Sequence, residues 1–274
     1  MPPEFHAQAY WDARFRKGGE PAGGHEWLGL PEAFTSACRT WLEALAGDGQ
    51  QAEDRRPVMP AEGSTEPLVP PPDILHIGSG SSQLSFDLRR WLPAGCRPDR
   101  ILNVDFSPAA VALGRLQEDE QFGELAGGSG HSSMRWATLD LLASADFVAL
   151  VRPATDRPSR PILILDKSTS DALSCGPAWP SPFDKAESDL HSLALLGRNL
   201  ALVAPEGSTW LVHSYSHDRF DGIDLDGLWN RTHKELIDVP DLDADGRPIF
   251  GRPCVQHSTE VWRRTAREPP ILSI

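Results

Sequence analysis

Short runs of consecutive apolar residues alternate along this chain with stretches in which apolar residues recur every three or four positions. The runs Ile74–Ile77, Ile101–Val104, Met134–Leu139 and Pro161–Leu165 have the length of buried strands. Ser208–Tyr215 and Cys254–Trp262 read as later strands, as does Thr232–Val239. Helical periodicity fits Phe5–Lys17, Pro31–Ala46, the segment holding Leu84, Leu88, Trp91 and Leu92, and Leu141–Val151. Phe183–Val203 reads as a long helix with Leu190, Leu193, Leu196 and Leu200 on one face. Pro108 suits the first turn of a helix running to about Glu120. Strands that alternate with helices predict an α/β fold whose mostly parallel, Rossmann-like doubly wound sheet is covered on both faces. Ligands of such sheets collect beyond the C-terminal strand ends. Gly78, Asp105, Asp140 and Asp166, at the ends of the first four strands, are therefore expected to face one crevice.

The segment 47–72 breaks the pattern. It is rich in Pro, Gly and Glu and nearly without large apolar residues, so it cannot pack a core and reads as a flexible surface insert. It separates an N-terminal helical part, residues 1–46, from the α/β part, residues 73–274.

Charge narrows the partners. Lys+Arg number 26 against 39 Asp+Glu, a formal net charge of −13 over 274 residues. A grip on nucleic-acid phosphates needs clustered cations, so no nucleic-acid ligand is expected and a charged partner would be basic. No run approaches the roughly 20 apolar residues of a membrane span, and the first ten residues do not resemble a secretory signal. The four cysteines are scattered without a CxxC pair, which fits free thiols in the cytoplasm and no metal site.

The residues after the first two strands suggest chemistry. Gly78 and Gly80 let the backbone turn sharply and approach a ligand closely, and the following helix presents an electropositive N-terminus. Asp105 ends the second strand 25 positions beyond Gly80, near the spacing at which an acid receives ribose hydroxyls. The pair suits an adenosine or NAD-type ligand. The chain has two tyrosines, Tyr10 and Tyr215, and no YxxxK pair, which weighs against a dehydrogenase.

Six ordered blocks carry a resemblance: Tyr10–Phe15 (YWDARF), Glu26–Gly29 (EWLG), Ile74–Ser85 (ILHIGSGSSQLS), Asn103–Ser107 (NVDFS), Met134–Asp140 (MRWATLD) and Leu165–Leu173 (LDKSTSDAL). Together the chain resembles the methyltransferase-like family that includes eukaryotic translation-elongation-factor lysine methyltransferases and the methyltransferase module beside endothelin-converting enzyme. The resemblance implies a class I methyltransferase fold with a seven-stranded sheet, S-adenosylmethionine as cofactor, and residues 1–46 as a lid. It implies that Gly78, Ser79 and Gly80 line the methionine part of the cofactor, that Asp105 holds the ribose with Phe106 against the adenine, and that Asp140 and Leu141 bracket the adenine edge. Trp11, Phe15 and Trp27 would close from the lid, and Lys167 would reach in from the fourth strand.

The implied acceptor is a protein lysine, in a basic partner such as a translation factor. A lysine has a pKa of ~10.4 in water and attacks only when neutral, so Asp166 and Tyr215 are the candidates for orienting or deprotonating it. His76, Ser168, Ser170 and Phe15 depart from the family pattern, which leaves room for a small-molecule N- or O-methyltransferase or a binding protein without turnover. No (D/N)PPY block is present, against adenine-N6 or glutamine methylation.

Overall fold

The computed structural model describes residues 4–16, 31–47, 72–94, 96–123, 132–143, 145, 149, 160–176, 179–180, 189–239 and 255–269. Trp27, nearly all of the insert, most of Leu141–Val151 and Cys254 lie outside these residues.

Strands β1 (Ile74–Ile77), β2 (Ile101–Asp105) and β4 (Leu163–Lys167) are buried along their whole length, as expected of parallel strands covered on both faces. Beside them run β3 (Arg135–Thr138), β7 (Thr209–Ser214), β8 (Trp229–Val239) and β9 (Val255–Arg264). These form one seven-stranded sheet in the order β3-β2-β1-β4-β7-β9-β8. The first five strands in that order pair in parallel, and β9 is antiparallel to both β7 and β8. A separate two-stranded pairing joins β5 (Trp179–Pro180) and β6 (Asp189–Leu190).

Alternation of side chains across the strands divides the core into two layers. On one face Ile74, Ile101, Trp136, Leu163 and Leu211 pack against Phe34 and Leu42 of α2 (Glu32–Gly47), Leu84 and Leu88 of α3 (Leu84–Trp91) and Val111 of α4 (Pro108–Phe122). On the other, Leu75, Ile77, Val104, Ile164, Trp210 and Val212 meet Leu193, Leu196 and Leu200 of α6 (Ser192–Val203). The Ser107 hydroxyl caps α4 by accepting from Ala110 N at 3.3 Å, with Pro108 in the first turn.

The helix expected from Phe183 starts only at Ser192. Strand β6 occupies Asp189–Leu190, and the His191 ring accepts from Leu193 N at 3.2 Å and so caps the first turn. The chain leaves β1 toward β2 and β3, then returns to place β4 on the other side of β1. The C-terminal ends of β1 and β4 therefore flank the point where the winding reverses, the place at which open α/β sheets bind ligands. Helix α1 (Gln8–Arg16) lies against α4 beside that point and has no buried residue.

Candidate active site

The loop after β1 is built for close approach. Gly78 and Gly80 have φ of +55° and +51°, in the left-handed region that side chains disfavour. A Cβ on Gly78 would stand 2.0 Å from Thr169 Oγ1, which donates to Ile77 O at 2.9 Å. Ser79 donates its backbone N–H to Val104 O at 3.0 Å, while its buried Oγ has no partner among the described residues. Asp105 closes the arrangement: one carboxylate oxygen accepts from Gly80 N at 2.8 Å and the other from Ser107 N at 2.8 Å. Burial pushes its pKa up from 3.8 to about 6 against these hydrogen bonds, and the nearby Asp12 carboxylate adds to the rise.

Above the loop lies a cavity of about 610 Å³, within the range of small-ligand sites. It runs across the strand ends from Asp140, just beyond β3, to Tyr215, just beyond β7. Its wall includes Trp11, Phe15, Gly78, Ser79, Gly80, Asp105, Phe106, Asp140, Leu141, Lys167 and Tyr215, each a residue singled out from the sequence. The Asp140 carboxylate holds Leu142 N at 2.9 Å, fixing the turn under Leu141. From α1, Trp11 and Phe15 stack with ring centroids 6.0 Å apart and form one wall. That helix is tied down where Gln8 Nε2 donates to Phe106 O at 2.7 Å and where Asp12 accepts from the Ser107 hydroxyl.

Asp166 corrects the sequence reading. The fourth strand does not stop before it but continues through Lys167, which pairs with His213 of β7. Alternation then turns Lys167 to the cavity and Asp166 away from it. Asp166 is fully buried, and one of its oxygens accepts from Thr169 N at 2.9 Å and Ser170 N at 3.1 Å, holding the start of α5 (Thr169–Ser174). Burial lifts its pKa to about 7. It does not line the cavity. His76, one of the departures from the family pattern, is likewise buried; its Nδ1 lies 2.8 Å from Ser85 Oγ.

Asp171 is the residue sequence reasoning missed. One oxygen accepts from Ser214 Oγ at 2.7 Å and Arg219 Nε at 2.8 Å, and the other accepts from Tyr215 N at 2.8 Å. It thus fixes the loop after β7 against α5, and Asp171, Tyr215 and Arg219 all line the cavity. Ser168 lines it too, with a left-handed φ of 65° and a buried Oγ without a partner among the described residues. Phe5, His6 and Arg14 complete the α1 side. Asp171 stood inside the quoted block LDKSTSDAL, where its acidity was the available signal; nothing in the sequence pairs it with Arg219, 48 positions on.

A doubly wound sheet of this strand order, with its late antiparallel strand and a glycine loop and acid at the first two strand ends, has the class I methyltransferase architecture. No protein-family model matches the chain. It is 29% identical over 223 residues to methyltransferase srdJ of Neurospora crassa, covering 81% of this chain and 72% of that one. A chain solved in work on the conversion of a disulfide bond into a thioacetal group during echinomycin biosynthesis aligns with a TM-score of 0.51 at 13% identity, covering 94% and 93% of the two chains. A SAM-dependent methyltransferase from Anabaena variabilis aligns over 96% of both chains at 10% identity and a TM-score of 0.47. Among the described residues, no helix is long and apolar enough to cross a membrane.

Proposed function

We infer that this protein is an S-adenosylmethionine-dependent methyltransferase acting on a small organic acceptor bound over the ends of β4 and β7. The observation that carries the cofactor assignment is Asp105: a carboxylate at the cavity wall, held in place by two backbone N–H groups, beside glycines that leave no Cβ in the way. Its oxygens keep further lone pairs for a ribose diol. Phe106 with Leu141 offers apolar surface for a base.

When bound, the cofactor supplies a methyl group already activated by its sulfonium. The protein's task is then alignment and exclusion of water. Trp11 and Phe15 cover the cavity from α1. Tyr215, braced by Asp171 at its N–H and packed on His257 with ring centroids 4.8 Å apart, would orient the acceptor. The cavity's enclosing wall, in which aromatic and aliphatic side chains alternate with polar and charged ones, supports a small-molecule acceptor.

A second reading, a lysine of a basic protein such as a translation factor, is favoured by the net charge of −13 and by Tyr215, which is 50% exposed at the cavity's rim. Incubation with cofactor carrying a labelled methyl group and with a cell lysate separates the two. Label is expected in the organic extract; a discrete labelled protein band supports the second reading instead. A calorimetric titration with S-adenosylmethionine that gave no heat and no thermal shift would sink both.

A further inference from the structure

The half of the cavity beyond β1 is lined by groups that a nucleoside over β1, β2 and β3 does not use. Arg219 is held there from behind, its Nε donating to Asp171 and its Nη1 to the Ser174 hydroxyl. Its Nη2 makes no hydrogen bond among the described residues, although the side chain lines the cavity and is only 23% exposed. A guanidinium pinned through one edge keeps its remaining donors in a fixed plane, the geometry that suits a carboxylate. On the same side Ser168 lines the cavity with a strained left-handed backbone, and its hydroxyl is buried without a partner among the described residues. Backbone strain of this kind persists where surrounding structure enforces it, and it concentrates at ligand sites.

The charges agree. Among the described lining residues at the ends of β4 and β7, Lys167 and Arg219 are the cations and Asp171 is the acid, while Asp166 does not line the cavity. The nearby rings of His191 and His213 are pushed toward their neutral forms by burial, so neither adds charge near neutral pH. We propose that this half of the cavity is a carboxylate subsite, in which Arg219 holds an acid group of the methyl acceptor and so selects acidic small molecules. The proposal rests on the methyltransferase reading. It assigns Arg219 to specificity, with no part in moving the methyl group.

The test uses the full chain saturated with S-adenosylhomocysteine, titrated calorimetrically with benzoate against benzamide and with indole-3-acetate against indole-3-acetamide. Each carboxylate is expected to bind at least ~10-fold tighter than its amide, consistent with a charge-assisted hydrogen bond. In Arg219→Gln the ratio should fall to near one, with affinity for S-adenosylhomocysteine within about twofold of the parent protein. Arg219→Lys keeps the charge opposite Asp171 and should give an intermediate ratio, which covers the case of a poorly folded Gln variant. Equal binding of acid and amide by the parent protein, no binding of either acid, or an unchanged ratio in both variants overturns the proposal. So does a tenfold loss of S-adenosylhomocysteine affinity in Arg219→Gln, which would move Arg219 to the cofactor. A parent protein that fails to bind S-adenosylhomocysteine at all fails at the earlier step, the cofactor reading itself.

Discussion

Asp105 shows how one side chain ties the fold together at the wall of the cavity. Its two oxygens fix the amides of Gly80 and Ser107, so the loop after β1 and the turn after β2 are locked to each other at the cavity wall. Burial has raised its pKa to about 6, so its charge is lost as the pH drops below that value. Cofactor affinity should therefore weaken between pH 7.5 and 5.5, as the ribose loses a charged acceptor. Hydrogen bonds to charged groups contribute ~1.5–3 kcal/mol, so Asp105→Asn should weaken S-adenosylhomocysteine binding by roughly 10- to 100-fold at pH 7.5 and flatten the pH dependence. Calorimetry at both pH values reads this directly, and near-normal affinity in the variant would contradict the ribose assignment. At this scale the sequence was readable where a residue's position follows from a strand end, as for Gly78 and Asp105, which both line the cavity. It misled at Asp166, because the strand runs on through Lys167 and alternation leaves Asp166 on the side away from the cavity.

Among the elements, α1 lies on the surface against α4. It buries no residue, yet it contributes Trp11 and Phe15 to the cavity wall and is fastened to the α/β part by polar links at Phe106 and Ser107. An element held this way opens without global unfolding. Asp12→Ala removes the link to the Ser107 hydroxyl; a lost hydrogen bond of ~0.5–1.5 kcal/mol predicts a roughly two- to tenfold loss of cofactor affinity. Amide exchange in residues 8–16 should quicken while the melting temperature stays put. Unchanged exchange with unchanged affinity would mean that α1 is fixed by other contacts. The helix itself was legible from its aromatic spacing, and so were the central strands, whose runs of apolar residues have no competing interpretation. The start of α6 was not. Leucines continue the helical spacing back through Leu190, and only the pairing of β6 with β5 ends the helix at Ser192.

Across the whole molecule, buried titratable groups make opposing demands on stability. Asp166 has its pKa raised from 3.8 to about 7, mainly by burial, so the folded protein keeps a proton that the unfolded chain has released over that interval. Stability from this group falls as pH rises from about 4 to about 7 and is level above. His76 and His213 are lowered from 6.5 to about 3 and about 4, again mainly by burial. There the unfolded chain binds the extra proton, so their contribution rises with pH from about 3 for His76 and about 4 for His213 up to 6.5, and opposes that of Asp166. Such a burden on Asp166 is retained because the carboxyl organises the site from beneath. It holds the amides of Thr169 and Ser170, and the Thr169 hydroxyl in turn bonds Ile77 O and packs where Gly78 has no Cβ. Asp166→Asn keeps an oxygen for those amides and removes the titration. Urea unfolding of both proteins from pH 4.5 to 8 should show the variant gaining on the parent by on the order of 2–4 kcal/mol as pH rises, since each unit of pKa displacement is worth about 1.4 kcal/mol. A difference between the two that stays constant across that range would mean that Asp166 is ionised throughout, and that its charge is met inside the fold.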